Sequence, residues 1–188
     1  HDVITYMPIF AAGLLAIPMV LLGRLYGSTF LGFAAAILAV SGTSYFNRTC
    51  AGYYDTDMFS VTIPALILFW LLKAHKEQSI PALSAGVLGI FFFPFFYNSG
   101  SPIGAAVGVS FIGLRLLLWI INRDKTEPGE VQFTLIATTL LCLSIALCPW
   151  TVGIIWAINP MKALGGVVVL LAGIIGSLYL RKLEPSKR

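Results

Sequence analysis

Tyr45-Phe46-Asn47-Arg48-Thr49-Cys50-Ala51-Gly52-Tyr53-Tyr54-Asp55-Thr56-Asp57 stands between two apolar runs, Ser28–Thr43 and Met58–Leu72. The contrast decides the fold class. The flanking runs approach the length of about 20 residues that a helix needs to cross a hydrocarbon layer, and the polar stretch between them belongs at a membrane surface. Two carboxylates and a guanidinium at such a surface are a costly placement unless they do chemistry. Acidic side chains two positions apart offer hard oxygen ligands of the kind a divalent cation prefers. Such a cation serves ligands that carry phosphates, or chemistry that needs a Lewis acid.

Composition agrees with the membrane reading. The 188 residues are 58% hydrophobic and 11% charged, with a mean hydropathy of +0.90, against roughly a quarter charged in soluble domains. The apolar residues come in helix-length blocks rather than the alternating ten-residue segments of a lipid-embedded barrel, so helices are the spanning element. The blocks are Thr5–Leu22, Ser28–Thr43, Met58–Leu72, Ile80–Tyr97, Pro102–Ile121, Val131–Leu147 and Met161–Leu180. They predict an all-α polytopic bundle of about seven spans. Lys73–Ser79 and Asn122–Glu130 read as connectors, and Trp150–Pro160 as an interfacial or re-entrant segment.

Basic residues orient the bundle, since short cytoplasmic loops collect Lys and Arg. One orientation puts Arg24, Lys73, Lys76, Arg123, Lys125, Arg181, Lys182, Lys187 and Arg188 inside and only Arg48 and Lys162 outside. The loop at about 44–58 then faces the periplasm or its topological equivalent. Cytosolic nucleotide donors are scarce there, so an enzyme on that face is expected to use a donor carried by lipid. Arg115 falls inside a span and is expected to snorkel past Trp119 to the cytoplasmic interface.

The run Asn47-Arg48-Thr49 followed by Gly52-Tyr53-Tyr54-Asp55-Thr56-Asp57-Met58 resembles the second external loop of the single-subunit oligosaccharyltransferases, the bacterial PglB type in particular. The likeness extends to Phe91-Phe92-Phe93-Pro94-Phe95-Phe96-Tyr97, where the bacterial enzymes close a later span with a similar aromatic stretch. The resemblance is strong over about thirteen residues and weak over most of the chain. It implies a GT-C type glycosyltransferase of the bacterial inner membrane, its active loop facing the periplasm. Such an enzyme moves an oligosaccharide from a polyprenyl pyrophosphate to the side-chain amide of an acceptor Asn in an N-x-S/T sequon. The expected partners are that lipid-linked donor, the acceptor polypeptide and the bilayer, with no nucleic acid.

On the same resemblance, Asp55 and Asp57 hold Mn²⁺ or Mg²⁺, which stabilises negative charge on the pyrophosphate leaving group. Arg48 either holds the acidic loop in shape through a forked hydrogen bond to a carboxylate such as Asp57 or contacts phosphate; a guanidinium suits both roles. Arg48, Asp55 and Asp57 are thus the expected catalytic residues, and the two aspartates the expected metal ligands. Capping of the helix that begins near Met58 is a simpler role for the aspartates and is compatible with metal binding. Tyr53 and Tyr54 fit an aromatic belt. Asn47-Arg48-Thr49 matches a glycosylation acceptor sequon but reads better as scaffold beside Arg48.

The family's site also takes an Asp from the first external loop, a later acidic residue, a pyrophosphate-binding Arg and a Trp-Trp-Asp motif in a C-terminal periplasmic domain. None of these has an evident place in this sequence. Residues 1–188 are therefore expected to be a partial transmembrane domain without the periplasmic domain, inactive alone. Two competing classes are another lipid-linked-sugar transferase and a transporter. The spans carry little intramembrane charge and no visible repeat, which disfavours the transporter. Among three cysteines, Cys142 is expected to behave as a small buried hydrophobe, and Cys50 and Cys148 carry no predicted disulfide. His75, beside Lys73 and Lys76, reads as a solvated loop residue. Gly104, Gly108 and Gly113 predict close helix packing.

Overall fold

The computed structural model describes residues 6, 8–10, 13–42, 46–47, 49, 59–97, 99–121 and 128–147. Among these, the regular elements are helices: α1 (Ala16–Leu25), α2 (Thr29–Ser41), α3 (Phe59–Glu77), α4 (Ile80–Phe96), α5 (Gly100–Ile121) and α6 (Pro128–Leu147). The all-α membrane fold read from the sequence is the observed one. Helices α3, α5 and α6 are long and apolar enough to cross a membrane, while α1, α2 and α4 are shorter apolar helices. Tyr6, Pro8–Phe10 and Gly13 are also helical and belong to the first expected span. The seventh expected span, Met161–Leu180, and the segment Trp150–Pro160 lie outside the described residues.

The bundle has two distinct ends. α2 leads into the motif loop and α3 leaves it, so that end also carries the C-termini of α4 and α6 and the start of α5; we call it the loop end. The opposite end carries Arg24, Lys73 and Lys76, and we call it the basic end. Both turns described there use the same device. After α1, the Ser28 amide donates to the Gly23 carbonyl at 2.8 Å and the Gly27 amide to the Arg24 carbonyl at 3.2 Å, with Gly27 at φ +93°. This left-handed residue closes the orphan carbonyls of the last turn. The Ser28 hydroxyl then accepts from the Leu31 amide at 3.2 Å and starts α2. After α3, the Ser79 amide donates to the Ala74 carbonyl at 3.2 Å, Gln78 takes φ 50°, and the Ser79 hydroxyl caps α4 through the Ala82 amide at 3.4 Å.

Helix α3 runs five residues past the expected end of its span and absorbs most of the connector read at Lys73–Ser79. Lys73, Ala74, His75, Lys76 and Glu77 carry no helix breaker, and Lys73 lies 4.0 Å from Glu77 one turn on. At the same end of the bundle, Pro128 begins α6, where its missing N–H is not needed by the helix.

The core lies among α3, α4, α5 and α6: Ile67 and Leu71 from α3, Leu83, Ile90 and Phe93 from α4, Phe111 from α5, Phe133 and Leu141 from α6. Glycines set the spacing. A Cβ on Gly86 would stand 2.7 Å from Leu71 Cδ2, and one on Gly89 would stand 2.7 Å from Ile67 Cγ1, so α4 offers two hollows that α3 fills. In α5, Gly104 faces Ile90, and Gly108 faces Ile90 and Ile145, as expected of close-packing glycines. Gly113 differs from the expectation: it is exposed, with nothing within 4 Å of its Cβ position. Backbones approach closely at Gly23, whose Cβ would stand 2.5 Å from the Cα of Gly32, and at Gly32, whose Cβ would stand closer still to the Met19 carbonyl oxygen. Helices α1 and α2 therefore pack as a tight pair, and α1 also contacts α3. Large apolar side chains such as Phe30, Leu38, Leu117 and Ile120 point outward, the pattern of a lipid-facing surface.

Candidate functional site

Arg48, Asp55 and Asp57 lie outside the described residues, as do Tyr53 and Tyr54. Their frame is described. At the end of α2, the Phe46 amide donates to the Gly42 carbonyl at 2.8 Å, and the Thr49 amide to the Phe46 carbonyl at 3.1 Å. The Thr49 hydroxyl also donates to the Phe46 carbonyl at 3.4 Å, and Thr49 is only 5% exposed. A side chain so placed is a local brace. A hydroxyl buried and bonded in this way is poorly placed for an acceptor sequon, which must present it to an enzyme.

The aromatic stretch of α4 lies at the same loop end. Phe59, the first residue of α3 after the loop, meets Phe96 with ring centroids 6.1 Å apart, and Phe93 stacks on Tyr97 at 6.0 Å. Phe93 and Pro94 are buried, whereas Phe92, Phe95 and Phe96 are about half exposed. One side of this stretch anchors α4 in the core and the other meets the membrane surface, as aromatic belts do. Gly100 admits the turn into α5: its Cβ position is 2.9 Å from the backbone of Phe93 and Pro94. The sequence motif and the aromatic stretch thus belong to one end of the molecule.

The described polar cluster is at the basic end and centres on Arg115, which is 5% exposed. Its Nε donates to the Thr134 hydroxyl at 3.2 Å, and one terminal nitrogen donates to the same hydroxyl at 2.6 Å and to the Glu130 carbonyl at 3.2 Å. The other terminal nitrogen is 2.8 Å from Nδ1 of His75. A guanidinium has no acceptor, so Nδ1 is the accepting nitrogen and the ring N–H sits on Nε2. The Thr134 hydroxyl passes its own hydrogen to the Glu130 carbonyl at 2.8 Å. Beneath the guanidinium carbon, the Phe133 ring lies 5.2 Å away.

Two expectations change here. Arg115 turns between helices instead of running past Trp119 to water, because Thr134, Glu130 and His75 supply the acceptors that burial of a cation requires. His75 is the last-turn residue of α3 that faces Arg115, not a solvated loop residue. The cluster joins α3, α5 and α6 through neutral acceptors and leaves the cation closed off from solvent. It is built as an interhelical clamp rather than a reaction centre. A second tie is Ser144, whose hydroxyl donates to the Val87 carbonyl at 2.9 Å and joins α6 to α4. Cys142 is free and partly buried, and Cys50 and Cys148 lie outside the described residues. No group of three or more His, Cys, Asp or Glu able to hold a metal occurs among the described residues.

Comparison with known proteins bears on the whole stretch. A family model described as oligosaccharyl transferase STT3, N-terminal, matches residues 1–176. The chain is 32% identical over 182 residues to the undecaprenyl-diphosphooligosaccharide–protein glycotransferase of Campylobacter jejuni subsp. jejuni serotype O:2, and equally to that of Campylobacter jejuni strain RM1221. Each alignment covers 96% of this chain and 24% of the relative, so the chain spans about a quarter of the length of these proteins. The matched stretch contains the motif loop, the aromatic end of α4 and all of the described helices.

Proposed function

Because the chain belongs to the oligosaccharyl transferase STT3 family, we propose that it forms part of a membrane glycosyltransferase that moves a glycan from a polyprenyl-pyrophosphate donor to the Asn amide of an acceptor sequon. The observation that carries this reading is the family match over residues 1–176, which includes Arg48, Asp55 and Asp57. The two relatives are named for transfer from an undecaprenyl diphosphooligosaccharide to protein, the same reaction class.

In this reading the bilayer is the bacterial inner membrane, with the loop end on the periplasmic side. Arg24, Lys73 and Lys76 at the opposite end support that orientation, since basic residues favour the cytoplasmic side. Asp55 and Asp57 have the donor chemistry for Mn²⁺ or Mg²⁺: charged oxygen ligands two positions apart in the sequence. The ion's contribution when bound is to offset negative charge on the departing pyrophosphate. Arg48 supplies a guanidinium on the same loop, for a carboxylate or for phosphate.

The buried Thr49 and the Phe59–Phe96 contact support a rigid frame around the loop. A frame of this kind matters because misplacing reacting groups by an ångström costs rate steeply. The test is glycan transfer by the protein expressed from its natural open reading frame, using a lipid-linked oligosaccharide and a peptide containing Asp-x-Asn-x-Thr. A glycopeptide detected by mass spectrometry supports the reading. Movement of a small solute across liposomes with no glycosylation would overturn it.

A further inference from the structure

Between α1 and α3 at the basic end lies a cavity of about 510 Å³. Its walls are Leu21 and Leu25 from α1 and Phe69 from α3, and Phe69 is only 6% exposed. Its polar lining is Arg24 from α1 with Lys73, Lys76 and Glu77 from α3. Three cations and one carboxylate leave this space with a surplus of positive charge.

The basic side chains that line the space differ in how firmly they are held. Lys76 is fixed: its Nζ donates to the Leu25 carbonyl at 2.6 Å and lies 5.9 Å from the Tyr26 ring, so it ties α3 to the end of α1. Lys73 lies 5.5 Å from the Trp70 ring and 4.0 Å from Glu77, a separation at which an ion pair is weak. Arg24 is exposed in the last turn of α1. Cations in a last turn offset the helix dipole, which explains part of the placement of Arg24 and Lys76. It does not explain Lys73, one turn earlier, or a cavity with apolar walls between the three.

We propose that this cavity is a binding site for the phosphate headgroup of an anionic membrane lipid. Arg24 and Lys73 face the phosphate, Lys76 holds the two helices at the separation that keeps the space open, and Leu21, Leu25 and Phe69 receive the apolar part next to the headgroup. Basic pockets between membrane helices at the cytoplasmic surface have the chemistry for such lipids. A free phosphate ion shares the charge but has no use for the apolar wall. The assignment does not depend on the glycosyltransferase reading.

The test reconstitutes the full-length protein in nanodiscs of mixed phosphatidylglycerol and phosphatidylcholine, and native mass spectrometry counts the lipids retained. The parent is expected to retain phosphatidylglycerol in preference to phosphatidylcholine. Arg24→Gln and Lys73→Gln each lower that retention about fivefold, the change that loss of one basic side chain near an anionic surface gives, and Arg24→Lys restores it. Equal retention of the two lipids by the parent overturns the proposal without recourse to any variant, as does parent-like retention by both Gln variants. Inorganic phosphate provides the other arm. If it raises the melting temperature of the delipidated protein as much as phosphatidylglycerol does, and Lys73→Gln abolishes both effects, the cavity takes a free anion and the lipid assignment fails.

Discussion

Arg115 of α5 places two N–H groups on one oxygen of α6, the Thr134 hydroxyl, at 3.2 Å from Nε and 2.6 Å from a terminal nitrogen. A neutral hydroxyl here does what a carboxylate oxygen does in a forked pair, and it is held in place by donating to Glu130 one turn before it. Among the acceptors of the buried cation, Thr134 is the one that takes two of its N–H groups, while the Glu130 carbonyl and His75 take one each.

Thr134→Val is therefore expected to destabilise the protein by about 2 kcal/mol, the scale of a buried charged donor that loses its acceptor, read as a lowered melting temperature in detergent. Thr134→Ser keeps the oxygen and is expected to stay near the parent. Arg115→Met, which removes the charge as well, is expected to cost less than Thr134→Val, because no unpaired cation remains. Equal stability of Thr134→Val and Thr134→Ser would show that the hydroxyl is dispensable.

The glycines divide by what surrounds them, and a set of alanine replacements reads the division. Gly23→Ala puts a methyl group into the backbone of Gly32 and is expected to separate α1 from α2, with a cost above the roughly 1–3 kcal/mol of ordinary overpacking. Gly89→Ala meets side chain rather than backbone, Ile67 Cγ1 at 2.7 Å, and is expected to cost less. Gly113→Ala meets nothing within 4 Å and is expected to stabilise α5 by up to about 1 kcal/mol, since alanine forms helix better than glycine. Thermal melting of the three variants checks the order.

These residues also show how far the sequence reaches. Span positions were legible because hydrocarbon thickness dictates a block length that composition alone reveals; the starts at Ile80 and the ends at Ile121 and Leu147 agree with it. The extension of α3 to Glu77 was not, because a polar helical turn and a polar loop have the same composition, and the ending is decided by Gln78 and Ser79. The Arg115 clamp joins residues 19 and 40 positions apart. An arginine inside a span announces that acceptors must exist, but only packing says that Thr134 and His75 stand at its depth. The same limit applied to glycine: Gly86 and Gly89 look no different in sequence from Gly113.

Orientation can be read by single-cysteine labelling in intact cells with an impermeant thiol reagent. A Cys at position 48 is expected to react, and a Cys at 76 or 123 to react only after the membrane is permeabilised. Ready labelling of position 76 in intact cells would reverse the placement of the loop end.

The central claim is that the acidic loop of this family member performs the transfer, and Asp55 tests it most directly. Glycan transfer to an Asp-x-Asn-x-Thr peptide is measured for the full-length protein and for Asp55→Ala, at saturating Mn²⁺ and matched protein level. Loss of one metal-ligating carboxylate is expected to lower the rate by about 10²-fold or more while expression is unchanged, with a smaller loss for Asp57→Ala if that residue acts partly through its neighbours. Transfer by Asp55→Ala at the parent's rate would contradict the account.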